Sequence, residues 1–153
     1  MSSILHAVAG EVRPEHGLLA VAGVIDGQLV GSAVEGDMEP PDDRIAAGQD
    51  GLIIQTAYLY HLHTIHARFE RWDGPPPVDA WEELWTGRLI LRSERVGVEA
   101  WAADYPYHLE FDLRQGGTTW SARVTTKVLQ TEQEAGFPKA IAQVELYKIQ
   151  FWT

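Results

Sequence analysis

The sequence predicts an all-β fold: a two-sheet antiparallel sandwich or flattened barrel of about eight strands, with one short helix near residues 79–86. Three observations support this prediction. Short β-branched and aromatic segments recur along the chain, Gly, Pro and Asp residues separate them, and several alternate between apolar and polar residues. The 153 residues are the length of a single domain, and no internal repeat divides them.

Two hairpins are predicted from turn residues. Residues 18–25 and 28–34 are mostly aliphatic and flank Asp26-Gly27. An Asp-Gly pair favours a type I′ turn, because both central residues of that turn need a positive φ. Residues 108–114 and 118–129 flank Gln115-Gly116-Gly117 and are expected to form the second hairpin.

The middle of the chain predicts two further strands and the helix. Residues 52–72 contain no Gly or Pro and exceed the usual strand length, so we expect two strands, or one strand bent at a bulge near residues 61–66. Proline cannot donate to a sheet, so Pro75-Pro76-Pro77 ends this region. Beyond it, Asp79 is a plausible N-cap for the short helix.

The remaining strands and one loop are predicted from the same kinds of pattern. Strands are expected over residues 88–95 and 96–101, and alternation over residues 140–152 predicts the last strand. Residues 35–50 contain Pro40-Pro41 and a run of acids, and are expected to form an acidic loop.

Charge is the strongest compositional feature. The net charge is −10, from 22 acids and 12 bases. Residues 1–43 hold eight of the acids and one base, a net of −7, and the remaining residues carry only −3. Such a field disfavours nucleic acid and anionic membranes and attracts basic proteins. Alternatively, the excess of acidic residues serves only to keep the protein in solution.

Cysteine is absent, which excludes disulfides, thiolate catalysis and Cys-ligated zinc. A cysteine-free chain fits a reducing compartment. The first residues lack a basic region and an unbroken apolar run, so no secretory signal is expected, and a cytoplasmic location is predicted.

The acids of the predicted loop are the candidate partner-binding residues. They are Glu35, Asp37, Glu39, Asp42 and Asp43. The spacing of a calcium-binding EF-hand loop is missing, so a solvated loop or a docking strip for a basic partner remain. A homodimer with an incidental acidic surface is also compatible with the sequence.

Histidines provide an alternative metal site. His61 and His63 would share one face of a strand, and His108 could supply a third ligand. The Glu that a cupin site needs after its second His is missing, since Ala67 and Arg68 stand there. Hydrogen-bonded histidines on a sheet surface are the simpler interpretation, and no cofactor is expected.

Tryptophans provide an alternative ligand site. Trp72, Trp81 and Trp85 flank the proline run and could stack on a carbohydrate or small molecule, although core packing is the more common role. No nucleophile elbow, Walker loop or dinucleotide fingerprint is present, which favours a binding protein over an enzyme.

Several segments of the second half resemble a known family. The segment His66 to Trp81, with its aromatic strand, proline run and Val-Asp-Ala-Trp, is similar to the central stretch of the competence-protein-J family. So are residues 87–91, Phe111-Asp112-Leu113 followed by Gly116, and residues 146–149. This resemblance covers roughly residues 60–152. It implies a non-enzymatic inhibitor or immunity-type protein that masks a DNA-entry nuclease.

Overall fold

The computed structural model of the protein describes residues 1–13, 17–35, 43–57, 65–99, 107–130, 135–137 and 144–153. These residues form eleven β-strands. In chain order the strands are β1 Ile4–Val12, β2 Leu18–Ile25, β3 Gln28–Val30, β4 Ile45–Gly48, β5 Gly51–Gln55, β6 Ile65–Trp72, β7 Glu82–Leu91, β8 Arg95–Glu99, β9 Tyr107–Asp112, β10 Thr118–Gln130 and β11 Val144–Trp152. No helix occurs in this part of the chain, and so none that could cross a membrane.

The strands form two sheets. Sheet A has five strands in the order β1-β6-β11-β10-β7, and sheet B has six, in the order β4-β5-β2-β8-β9 with β3 paired to β2. The prediction of an all-β, two-sheet fold is therefore confirmed, but neither sheet closes into a barrel. The predicted antiparallel arrangement holds for every pair except β6 and β11, which are parallel at the centre of sheet A.

The core lies between the sheets and takes side chains from both. Sheet A contributes its largest buried aromatic residues, among them Phe69, Trp120 and Tyr147, and sheet B contributes mainly aliphatic ones such as Leu19 and Leu52. Phe69 stacks on Phe111 of sheet B with ring centroids 5.7 Å apart. Each fully buried side chain of this size contributes about 1.5–3 kcal/mol.

Two local predictions are confirmed. Asp26 and Gly27 have φ values of 53° and 76°, as a type I′ turn requires, and β2 pairs with β3 across them. The long Gly- and Pro-free segment forms two strands, β5 and β6. Residues 58–64, which include most of the site of the expected bulge at residues 61–66, lie outside the described residues.

Other predictions are wrong. Residues 79–86 are not a helix: β7 begins at Glu82 and pairs with β10. The second hairpin does not form, because β9 pairs with β8 in sheet B whereas β10 lies in sheet A. The expected loop over residues 35–50 contains β4. The described residues also form eleven strands, not about eight, because the prediction missed the nine-residue β1 and the four-residue β4.

Strand directions define two ends of the sandwich. At one end of sheet A, β1 and β10 finish and β6, β7 and β11 begin. At the matching end of sheet B, β5 and β8 finish and β2, β4 and β9 begin. Two hydrogen bonds of 2.8 Å join the sheets here, from Ala57 N–H to Glu145 Oε1 and from Arg44 Nη2 to Tyr147 Oη.

Candidate protein-binding surface

Acidic side chains gather at the end of the sandwich that these two hydrogen bonds join. We call this end the acidic end. Its described acids outside the core are Glu11 at the end of β1, Asp43 just before β4, Glu82 and Glu83 at the start of β7, and Glu99 at the end of β8. The bases described there are Arg13, Arg44 and Lys127, and Arg123 of β10 forms an ion pair with Glu83 over 3.4 Å. All the acids except Glu99 are exposed, so this end presents negative charge to solvent.

Residues 35–43, which we call the acidic segment, contain five acids and no base and lead into this end. Both described acids of the segment, Glu35 and Asp43, are exposed and make no ion pair or side-chain hydrogen bond with any described residue. Asp37, Glu39 and Asp42 lie outside the described residues. The carboxylates of Glu35 and Asp43, at the two ends of the acidic segment, are therefore available to a partner.

The chain is fixed just before the acidic segment begins. The N–H groups of Val34 and Glu35 both donate to the carbonyl of Gly31, over 3.2 and 3.1 Å. Gly31 has a φ of 104°, and a Cβ there would lie 2.4 Å from the carbonyl oxygen of Gln49. Only glycine fits this position, so the turn packs directly against the end of the β4–β5 hairpin.

Arg44 fixes the chain where the segment ends. Its carbonyl accepts from the N–H of Gln55 over 2.7 Å, and its Nε donates to the carbonyl of Gln55 over 3.1 Å. Its Nη2 donates to Tyr147 Oη. The backbone of Arg44 is left-handed, with a φ of 69°, and its guanidinium lies between the two sheets against Tyr147.

A buried carboxylate continues this contact into the core. Tyr147 Oη donates to Glu145 Oε1 over 2.6 Å, and both residues are fully buried. Burial, followed by the hydrogen bond to Glu145 and its charge, raises the pKa of Tyr147 well above its usual range. The phenol therefore stays protonated and acts as a neutral bridge between a cation and an anion.

The three tryptophans predicted to bind a ligand each make separate contacts, and their shared ligand site stays a prediction. Trp85 packs against the core on the inner face of β7. Trp72 is half-buried and its Nε1 donates to Glu70 Oε1 over 2.9 Å. Trp81 stacks on Phe137 with centroids 5.6 Å apart, and the Nζ of Lys148 lies 4.2 Å from the centroid of its ring. Each ring is held by its own protein contacts.

The predicted histidine cluster is only partly visible. His108 is half-buried on β9, opposite Val98, and His61 and His63 lie outside the described residues. Within the described ranges, no three His, Asp or Glu side chains are grouped so that they could hold a metal ion. The metal site stays an untested prediction.

Sequence reasoning missed Arg44, Tyr147 and Glu145. One signal was present: in the alternating last strand, Glu145 has the same parity as Ile149 and Phe151 and therefore faces the core. An acid at an inward position requires a buried partner. The identity of that partner, about a hundred residues earlier in the chain, could not be read from the pattern.

The molecule is thus a two-sheet β-protein with an acidic end, and its described residues include no group of side chains that could hold a metal ion. No protein-family model and no curated protein matches the sequence. Among solved structures the fold is similar to that of ComJ from Bacillus subtilis, an inhibitor of the DNA-degrading activity of NucA. The TM-score is 0.63 at 12% sequence identity, over 100% of this chain and 98% of that one. At this sequence identity the likeness shows that the two proteins share a fold and nothing further.

Proposed function

We propose that this protein is a non-enzymatic inhibitor of a DNA-degrading nuclease, and that it binds the enzyme through the acidic segment and the acidic end. The observation that carries the proposal is the likeness to ComJ, which spans essentially the whole of both chains. Unpaired carboxylates on a chain with a net charge of −10 provide the recognition chemistry.

The physical basis is competition for a basic groove. A nuclease holds the phosphates of DNA with cationic side chains, and carboxylates at similar spacing can occupy the same positions. Surface charge of this kind raises the association rate and selects basic partners more than it adds affinity. Inhibition would then be stoichiometric and sensitive to salt.

The test is a DNA-degradation assay with purified NucA and linear duplex DNA. Addition of one equivalent of the protein should suppress cleavage, and a tenfold excess should abolish it. Cleavage that continues undiminished at that excess would contradict inhibition of this type of nuclease.

Matched variants locate the binding surface. The double variant Asp43→Asn/Glu82→Gln removes two charges from the acidic end, and Asp26→Asn/Glu94→Gln removes two from turns at the opposite end of the sandwich. All four side chains are exposed, so the fold should survive both pairs. We expect association with NucA to slow several-fold for the first pair only. Equal slowing by both pairs would place the contact elsewhere.

A further inference from the structure

We propose that Arg44, Tyr147 and Glu145 form a positioning relay that fixes the end of the acidic segment and keeps the charge of Arg44 away from it. Arg44 donates to Tyr147 Oη over 2.8 Å, and Tyr147 Oη donates to Glu145 Oε1 over 2.6 Å. The hydroxyl thus accepts one hydrogen bond and donates another. Its role for the inhibitory surface rests on the proposed function, whereas the anchoring itself does not.

The first argument comes from charge. Arg44 directly follows Asp42 and Asp43 in the chain. A guanidinium left in solvent at this position would sit beside those carboxylates and weaken their field. In the structure the guanidinium of Arg44 instead points inward and donates to the hydroxyl of Tyr147. That hydroxyl in turn donates to the fully buried carboxylate of Glu145. The acidic segment therefore keeps its full negative charge.

The second argument comes from backbone strain. Arg44 holds a left-handed conformation with a φ of 69°, which costs a residue with a Cβ about 1–2 kcal/mol. A glycine or asparagine would adopt it at less cost. The side-chain bonds to Tyr147 and to the carbonyl of Gln55 offset this cost. Arginine at this position is therefore unfavourable for the backbone conformation but provides the hydrogen bond to Tyr147.

The third argument comes from burial. A fully buried carboxylate needs compensating donors and a nearby positive charge. Glu145 receives the N–H of Ala57 over 2.8 Å as well as the tyrosine hydroxyl. Ala57 follows β5, Arg44 precedes β4 and Glu145 is the second residue of β11, so the relay ties three chain segments together at the acidic end.

Limited proteolysis tests the anchor with the protein alone. Trypsin cleaves after arginine, and the Arg44–Ile45 bond should resist cleavage while the side chain of Arg44 is held inside. The variant Tyr147→Phe removes the bridging hydroxyl and should raise the cleavage rate at this bond about tenfold, the effect of about 1.4 kcal/mol. Tyr107→Phe, which alters a tyrosine at the same end outside the relay, should leave the rate unchanged.

An internal comparison separates local release from general destabilisation. The Arg123–Val124 bond lies in the middle of β10 and opens only when sheet A unfolds. In Tyr147→Phe we expect cleavage after Arg44 to accelerate more than cleavage after Arg123. Equal acceleration of both bonds, or none at Arg44, would overturn the relay. Arg44→Lys serves as a second variant in case Tyr147→Phe folds poorly. It keeps the trypsin site and the charge but cannot make both side-chain hydrogen bonds of Arg44, so cleavage at this bond should again accelerate.

A binding measurement then connects the relay to inhibition. Tyr147→Phe should associate with NucA several-fold more slowly than the wild type and show a weaker dependence on salt, because the released guanidinium screens the acidic segment. A normal rate and salt dependence would show that the relay is purely structural. If wild-type protein fails to inhibit NucA, the proposed function is contradicted, and the proteolysis result still decides the anchor.

Discussion

The carboxylate of Asp50 holds Arg92 by two hydrogen bonds. Oδ1 accepts from the backbone N–H of Arg92 over 2.8 Å, and Oδ2 accepts from its Nε over 2.7 Å. The N–H of Asp50 also donates to the carbonyl of Ile90 over 3.2 Å. Since β7 is an edge strand of sheet A, these contacts occupy backbone groups that would otherwise be open to another strand.

Replacing Asp50 should therefore lower stability and promote self-association. Asp50 is fully buried, and Asp50→Ala leaves the N–H of Arg92 without its acceptor, at a cost of about 3 kcal/mol. Urea unfolding measures the loss, and sedimentation shows the association through the exposed edge beside Ile90. The backbone of Asp50 is left-handed, with a φ of 62°. Asp50→Asn keeps one acceptor and tolerates this conformation, so it should lose less. Asp50→Ala that stays monomeric at high concentration would argue against an edge-blocking role.

The ionised carboxylate of Glu70 should stabilise the protein at pH values above 4.5. Burial alone would raise the pKa of Glu70, but hydrogen bonds from Arg68, Gln150 and Trp72 outweigh it and hold the pKa below the ordinary value of 4.5. A lowered pKa contributes stability that is present above pH 4.5 and is lost as the pH falls through the folded-state pKa.

The variant Glu70→Gln should thus be destabilised by about 2 kcal/mol at neutral pH. The difference from the wild type should shrink as the pH falls from 4.5 through the folded-state pKa, because the wild-type carboxylate then becomes protonated as well. Thermal melting at a series of pH values measures both effects. A difference that stays constant down to pH 3 would show that Glu70 acts through packing and not through its charge.

His66 should make the protein less stable under mild acid. Its side chain is buried, and burial lowers its pKa below 6.5, partly offset by the charge of Glu11 on the neighbouring strand. Between the lowered pKa and 6.5 the unfolded chain binds more protons than the folded one, so stability falls as the pH decreases through this window. The slope from one group is at most about 1.4 kcal/mol per pH unit.

Two variants test this assignment. His66→Gln should flatten the dependence of melting temperature on pH just below 6.5. Glu11→Gln removes the charge that supports protonation and should make the acid loss larger. If His66→Gln keeps the wild-type slope, another group is responsible.

Salt should distinguish the binding surface from the fold. Association with NucA should slow steeply between low and physiological ionic strength, since exposed charges act over about 10 Å at 0.1 M salt. Dissociation should change less. Stopped-flow binding measures both rates, and an association rate independent of salt would contradict an electrostatic contact.

Local turn chemistry was readable from the sequence, whereas long-range pairing was not. The cap predicted at Asp79 does exist as a contact, because Asp79 Oδ1 accepts from the N–H of Trp81 over 2.9 Å. The chain after it becomes β7 because β10 offers a long partner strand. The helix-start pattern thus identified the Asp79 contact, but strand pairing formed β7 in place of the helix.

The second hairpin failed for a related reason. Gly117 takes a positive φ of 60°, as a turn glycine can, but residues 113–117 carry the chain from sheet B to sheet A. Turn residues alone do not distinguish a hairpin from such a crossing. The acidic composition of the candidate surface was equally readable, whereas the contact between Arg44 and Tyr147 spans 103 positions and has no local pattern.

The parallel pairing of β6 with β11 also has a consequence for the order of folding. β11 is the eleventh strand in the chain, yet it lies at the centre of sheet A between β6 and β10. A growing chain can assemble most of sheet B early, but sheet A has a gap at its middle until residues 144–152 have been made. Folding must therefore wait for this strand, and β6 and β10 expose their inner edges to other strands in the meantime.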